Sequence, residues 1–281
     1  MKVEVAKTAG FCFGVQRAVN AVDLLLNSGK KVYTLGEVIH NPRVTQDFKN
    51  RGSMVVSHPR EVTDKESVIV VRSHGAPKEI FEYMKKNKIE FIDATCPFVK
   101  NIHKIVEKNT KKGQFLLLAG DENHPEVRGI LSYSRAKNIV FRSLEDIQKI
   151  FSLGFSGGAV IAAQTTFSYD EWTRCLDFFE KCFTNSLIFD TICNTTNLRQ
   201  KEAKELAKSH DVVVVIGGKN SSNTGNLAKI CRNFTKTFLI QNVKELNAEM
   251  FKNLDKVAVT AGASTPSYAI EEVLEFLKTL K

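Results

Sequence analysis

The stretch QFLLLAGDENHPEV (residues 114–127) sets out the fold in one line. FLLLA is an unbroken apolar run, as expected of a short strand buried on both faces of a parallel sheet. The polar loop GDEN leads into His124-Pro125-Glu126. A proline fits there because the first helical N–H has no partner within the helix. The same order recurs in KVYTLGEVIHNPRV (31–44) and DVVVVIGGKNSSNT (211–224), so strand, polar loop and helix start occur three times.

Other blocks repeat in step with these. A second strand runs into an acidic or polar helix start in GSMVVSHPREV (52–62), KNIVFRSLEDI (137–147) and KTFLIQNVKEL (236–246). A third strand ends in a polar loop in SVIVVRSHGAP (67–77), GAVIAAQTTFS (158–168) and KVAVTAGASTP (256–266). Each set follows a cysteine at a strand-to-helix junction, in VEVAKTAGFCFGV (3–15), IEFIDATCPFV (89–99) and LIFDTICNTT (187–196). Cys12 and Cys96 are 84 residues apart and Cys96 and Cys193 are 97; His40 and His124 are 84 apart, and His124 pairs with Asn223 at 99. Four block types in one order predict three α/β domains with mostly parallel sheets, spanning 14–96, 97–193, and 194–281 plus 1–13. All six prolines fall at expected helix starts, and Ser168 with Glu171 has the pattern of a capping box. The polar loops then lie at the carboxyl ends of strands, where open parallel sheets bind ligands. A pseudo-threefold trefoil would aim the three junction thiols at one centre.

Three dispersed thiols admit several chemistries. Structural zinc is normally closed by a fourth protein ligand, often from a paired Cys-x-x-Cys, and no such pair occurs here. An iron–sulfur cluster is ordinarily held by four cysteines, and with three, one iron would be open to substrate. Three unrelated buried thiols, or one catalytic nucleophile with two idle cysteines, are the plainer alternatives. Cys175 and Cys182 lie in an amphipathic run and Cys231 in NLAKICRNF, and all three read as core or face residues.

His40, His74 and His124 stand in loops at related positions, and Ser221, Ser222 and Asn223 fill the third repeat. Together they suit an anion, because helix N-termini and imidazoles supply donors to phosphate oxygens. GGKNSSNTG is no Walker A loop, since Asn220 follows Gly218-Lys219. His58, His103 and His210 read as ordinary residues. Glu126, second in its helix, would usually serve only the helix dipole. Beside a cluster and an anion it becomes a candidate proton donor, with its pKa raised by desolvation and negative charge.

The chain has 281 residues, 43% of them hydrophobic and 25% charged, as in a soluble globular protein. No run approaches the ~18 apolar residues of a membrane span. The first residues, MKVEVAKTAG, show no signal-peptide core, so a cytoplasmic location without a membrane partner is expected. A net charge of +9 favours anionic partners. A basic nucleic-acid-binding protein is one rival class, but it lacks a recognisable binding motif. A zinc-dependent hydrolase of a phosphorylated substrate is another.

GFCFGVQRAV, GEVIHNP, RSHG, DATCPFV, NHPEV, QTT, CNTT, KNSSNT and TAGASTP together resemble the 4-hydroxy-3-methylbut-2-enyl diphosphate reductase family, over essentially the whole chain. The resemblance implies an α/β trefoil around one 4Fe–4S cluster with three protein thiolates, Cys12, Cys96 and Cys193. It implies reductive dehydroxylation of an allylic diphosphate to isopentenyl and dimethylallyl diphosphates in the non-mevalonate pathway. His40, His74, His124, Thr165, Ser221, Ser222, Asn223 and Ser264 would then bind substrate, and Glu126 would lead proton delivery. Reduced flavodoxin or ferredoxin is the implied electron donor, nucleic acid is not a partner, and the length matches the short bacterial form.

Overall fold

A computed structural model describes residues 1–154, 158–183 and 185–280. Its strands are β1 (Lys2–Val5), β2 (Val32–Leu35), β3 (Met54–Val56), β4 (Val68–Val71), β5 (Phe91–Asp93) and β6 (Phe115–Ala119). They continue as β7 (Lys137–Phe141), β8 (Ala159–Ala163), β9 (Leu187–Ile188), β10 (Val212–Ile216), β11 (Lys236–Ile240) and β12 (Lys256–Ala261). Among the described residues they form three four-stranded sheets, ordered β3-β2-β4-β5, β7-β6-β8-β9 and β11-β10-β12-β1. Every pairing between them is parallel, which goes beyond the mostly parallel expectation. The order is the same each time: second, first, third, fourth strand of the set. Parallel neighbours cannot be joined by a tight hairpin, so helices or single helical turns carry the chain between them.

The chain divides into two compact units. One comprises Met1–Gln16, Ile39–Asp47 and Asn194–Lys281, and holds the sheet completed by β1. In it β10 is buried throughout, and its alternating side chains serve two cores. Val212, Val214 and Ile216 pack with Val257, Val259, Val273 and Leu277. Val213 and Val215 face Ala203, Leu206, Leu227, Ala228 and Cys231 on the other side.

The other unit comprises Arg17–Val38 and Phe48–Cys193, with the remaining two sheets. Leu117 and Ile161 pack on Trp172 and Phe179. Leu116, Leu118 and Val160 pack on Ile102, Val106, Val127 and Ile130. Within this unit Lys78 pairs with Glu107 at 2.6 Å, and its amide donates to the Ser132 hydroxyl at 2.8 Å. The edge strands on both sides, β3, β7 and β11 and also β5, β9 and β1, are more exposed than the central pairs.

The helices are α1 (Phe13–Asn27), α2 (Pro42–Asn50), α3 (Lys78–Lys86), α4 (Pro97–Asn109) and α5 (Pro125–Leu131). They continue with α6 (Leu144–Ser152), α7 (Tyr169–Cys182), α8 (Asn194–Ser209), α9 (Ser222–Arg232) and α10 (Ser267–Thr279). The six prolines stand at or immediately before helix starts. The capping box expected at Ser168 differs in part. The Ser168 hydroxyl accepts from the Glu171 amide, but the Glu171 carboxylate accepts from the Leu144 amide and so joins two helices. True capping boxes occur at the one-turn helices of Pro59–Glu61 and Val243–Glu245, with His58 and Asn242 as caps.

Each first strand leaves through a glycine, Gly36, Gly120 or Gly217, whose amide donates to the last residue of the second strand. Gly217 has φ +155°, and a Cβ there would come within 2.6 Å of the Thr224 hydroxyl oxygen. Gly217→Ala should therefore destabilise the chain by about 1–3 kcal/mol, since strained backbone adds to crowding. Urea denaturation checks this, and an unchanged midpoint would refute it.

Candidate active site

The three junction thiols are outside disulfides and half-buried. The loops that carry them differ in length, running over residues 6–11, 94–95 and 189–192 between strand and thiol. Yet each ends in the same bond. The Cys12 amide donates to the Ala263 carbonyl at 3.1 Å, Cys96 to Ser73 at 2.9 Å, and Cys193 to Thr165 at 3.0 Å. Ala263, Ser73 and Thr165 each stand two residues beyond the last residue of the third strand of their sheet. Because the fourth strand lies beside the third, their exits are neighbours, and one backbone bond ties thiol to loop.

In the first unit, Ser221 caps α9, its hydroxyl oxygen accepting from the Thr224 amide at 3.4 Å. Ser222 follows half-buried, and Asn223 is buried with no hydrogen-bond partner for its Nδ2. A buried amide donor without an acceptor costs free energy, so the position is suited to an acceptor from outside. The His40 segment lies on this unit. Its carbonyl accepts from the Ser264 hydroxyl at 3.2 Å, and the Asn41 side chain donates to the Ser264 carbonyl at 3.0 Å. Arg43 anchors the same segment by a paired contact with Glu272 at 2.6 and 2.7 Å. Ser264 thus has its hydroxyl proton engaged with protein and would have to turn to donate to a ligand.

In the second unit, the His74 and His124 rings stand edge to face, centroids 5.2 Å apart, with ring nitrogens within 4.8 Å. His124 caps α5, its Nδ1 accepting from the Glu126 amide at 3.2 Å. The proton of the neutral ring therefore sits on Nε2, which makes the histidine a donor without requiring a positive charge. Glu126 is only 1% exposed. Its two oxygens accept from the Thr165 amide at 2.7 Å and the Thr165 hydroxyl at 2.9 Å. Burial pushes the carboxyl from 4.5 up to about 7, against the pull of those two bonds.

The three-repeat alignment needs one correction. His40, His124 and Ser221 each lie five residues beyond the end of the first strand, so His124 matches Ser221 and not Asn223. Asn223 matches Glu126, two positions further on. Counting from the third strand likewise matches His74 with Thr166 and Ser264, three residues out. The two adjacent threonines of QTT offer no local sign of which one matches, so the position of Thr166 is read from the strand ends. Gln164 was missed: it is buried, its Oε1 accepts from the Asp121 amide, and its Nε2 has no partner.

The remaining thiols and histidines behave as expected. Cys175 and Cys231 are buried, and burial pushes both thiols up to about 12. His103 stacks on Tyr133 at 4.3 Å between centroids, and burial lowers its pKa to about 4. His58 caps a helical turn through Nδ1.

A profile of the LytB protein family matches residues 3–278. The chain belongs to the LytB protein family. A relative from Caldanaerobacter subterraneus subsp. tengcongensis, 42% identical to this LytB chain, is named 4-hydroxy-3-methylbut-2-enyl diphosphate reductase; the match covers 100% of this chain and 98% of the relative. A solved structure of a protein so named, described as the terminal enzyme of the non-mevalonate pathway, is 39% identical with a TM-score of 0.70. That match covers 99% of this chain and 100% of the other. A Plasmodium falciparum reductase structure gives a TM-score of 0.88 at 26% identity, over 99% of this LytB chain and 87% of its own.

The raised pKa of Glu126 has a consequence for stability. An acid whose folded pKa lies above its unfolded one favours folding in its protonated form. That contribution is fully present below about 4.5 and is lost as pH rises to about 7. Glu126→Gln carries no such charge, so its stability relative to the parent should rise across this window by on the order of 2–4 kcal/mol. Denaturation of the metal-free proteins between pH 4.5 and 8 checks the sign, and a pH-independent difference would overturn it.

Proposed function

We propose that this chain reduces (E)-4-hydroxy-3-methylbut-2-enyl diphosphate to isopentenyl and dimethylallyl diphosphates. The C–O bond to the hydroxyl breaks, two electrons and two protons enter, and water leaves. Full-length likeness to relatives of that name supports this reading. The observation that carries it is Thr165. Its amide and hydroxyl bind the buried Glu126 carboxyl, while its carbonyl receives the amide of Cys193. One residue thus joins a proton donor of near-neutral pKa to a soft metal ligand.

The donor set fits an iron–sulfur cluster. Cys12, Cys96 and Cys193 offer soft thiol sulfurs, half-buried and outside disulfides, each with its backbone fixed by a hydrogen bond. We assign them to one 4Fe–4S cluster, which when bound supplies the electrons delivered by a reduced flavodoxin or ferredoxin. His124 donates through Nε2, Asn223 through Nδ2 and Ser221 through its hydroxyl to diphosphate oxygens, with His40, His74, Ser222 and Ser264 completing the set. Thr166 joins them on its matching position. Charge-assisted bonds of this kind contribute roughly 1.5–3 kcal/mol each. Glu126 holds a proton near neutral pH, and the Thr165 hydroxyl, which donates to Glu126 at rest, would turn to accept that proton and give its own to the leaving oxygen. The second proton enters at either end of the allylic system, which accounts for two products. Cysteines outside disulfides accord with a reducing cytoplasm, and no helix among the described residues is long and apolar enough to cross a membrane.

Anaerobically purified Cys96→Ser should lose most of its iron, while Cys231→Ser should keep it. Iron analysis and the visible spectrum decide, and full iron in Cys96→Ser would remove the thiol from the ligand set. Glu126→Gln should keep its iron and still bind the diphosphate, yet turn over at least about a hundredfold more slowly, within the range of lost general acid catalysis. Near-normal turnover in an iron-replete Glu126→Gln would return this carboxyl to a purely structural role.

A further inference from the structure

Two arginines outside the assigned site grip the backbone directly in front of two of the thiols. Arg199 on α8 is buried, 4% exposed. Its Nη2 donates to the Gly10 carbonyl at 2.7 Å and its Nη1 to the Ala261 carbonyl at 3.1 Å. Gly10 lies two residues before Cys12, and Ala261 ends the strand whose loop accepts the Cys12 amide. One turn along the same helix, Glu202 accepts from the amides of Lys7 and Thr8 at 2.7 and 2.9 Å and from the Thr8 hydroxyl at 2.5 Å. The helix therefore gives an acid to the donors of this loop and a base to its acceptor. In the second unit, Arg17 on α1 donates through Nη2 to the carbonyls of Thr95 at 2.9 Å and Asp93 at 3.1 Å, ahead of Cys96.

Burying a guanidinium is costly unless its hydrogen bonds are well placed. Here the accepting oxygens are all main-chain: Gly10, Asp93 and Thr95 lie within three residues of a candidate ligand, and Ala261 lies two residues before the Ala263 carbonyl that receives the Cys12 amide. The planar fork of arginine can hold two carbonyls at fixed spacing, whereas an ammonium is a single point. The loop of Cys193 is tied differently: the buried Thr191 hydroxyl donates to the Ala163 carbonyl at 2.6 Å and accepts from the Ala163 amide at 2.8 Å. Each thiol-bearing loop thus has its own side-chain tie.

We propose that Arg17 and Arg199 are positioning residues that hold the loops of Cys96 and Cys12 in their ligating conformation before any metal is bound. The proposal rests on the reading of those thiols as ligands, and the experiment separates the two. Hydrogen exchange of the full-length metal-free chain is followed by mass spectrometry in R17Q, R17K, R199Q and R199K, alongside iron loss from the loaded proteins under a chelator. R199Q should accelerate exchange over residues 8–12 by at least about fivefold and leave residues 93–96 unchanged, and R17Q should do the reverse. Both Gln variants should release iron faster than the parent, with the Lys variants between. Parental exchange and iron retention in both Gln variants overturns the proposal, and so does equal acceleration of both loops, which marks general destabilisation. Should R199Q fail to fold, the half-buried Arg17 carries the test through R17Q. Full iron in Cys12→Ser and Cys96→Ser would instead remove the thiol reading, while the exchange pattern still decides whether the arginines grip the loops.

Discussion

One backbone bond, from a cysteine amide to the carbonyl two residues past a neighbouring strand, is made three times, and the candidate chemistry is organised around it. It exists because third and fourth strands are adjacent and parallel, with exits on the same edge of the sheet. The bond needs no side chain, so it ties the cysteine backbone to the residue just before whichever one follows the accepting carbonyl. In the three repeats those followers are His74, Thr166 and Ser264. The proposed metal ligand and the proposed anion donor are thus joined by topology before either side chain is chosen.

The buried groups of the second unit divide their ionisation states by environment. His124 spends its Nδ1 on the Glu126 amide and keeps a proton on Nε2 while neutral. Glu126 lies under the same helix start, where a helix dipole would favour its charged form, yet burial outweighs that help. The two neighbours can therefore both present protons near neutral pH without both being ionic. Cys175 and Cys231, by contrast, stay protonated through burial and are ordinary core side chains.

The strands and polar loops were legible because a strand buried on both faces leaves an unbroken apolar run, as VVVVI and FLLLA do. The junction cysteines and loop histidines stood out for the same reason, since they interrupt such runs at regular distances. The internal matching of the third repeat was legible too. The 97-residue offset between Cys96 and Cys193 already carries His124 onto Ser221, two positions before Asn223, and the strand ends agree with it. Arg17, Arg199 and Glu202 were not legible at all. They act on main-chain atoms of segments far away in sequence, and a charged residue on a helix otherwise reads as a solvated face.

The sheet of the first unit is closed by its N-terminal strand: Lys2–Val5 pairs with the last strand of the chain, register Lys2 to Lys256. During synthesis β12, the partner of β1, is made after every strand of the sheets of β2–β5 and β6–β9, which can form from what has already emerged. The Ala263 carbonyl that receives the Cys12 amide arrives later still. The carbonyls that anchor Cys96 and Cys193 precede those residues in the chain, while the carbonyl that anchors Cys12 is made after both of them. The first of the three thiols to be made is the last to be seated.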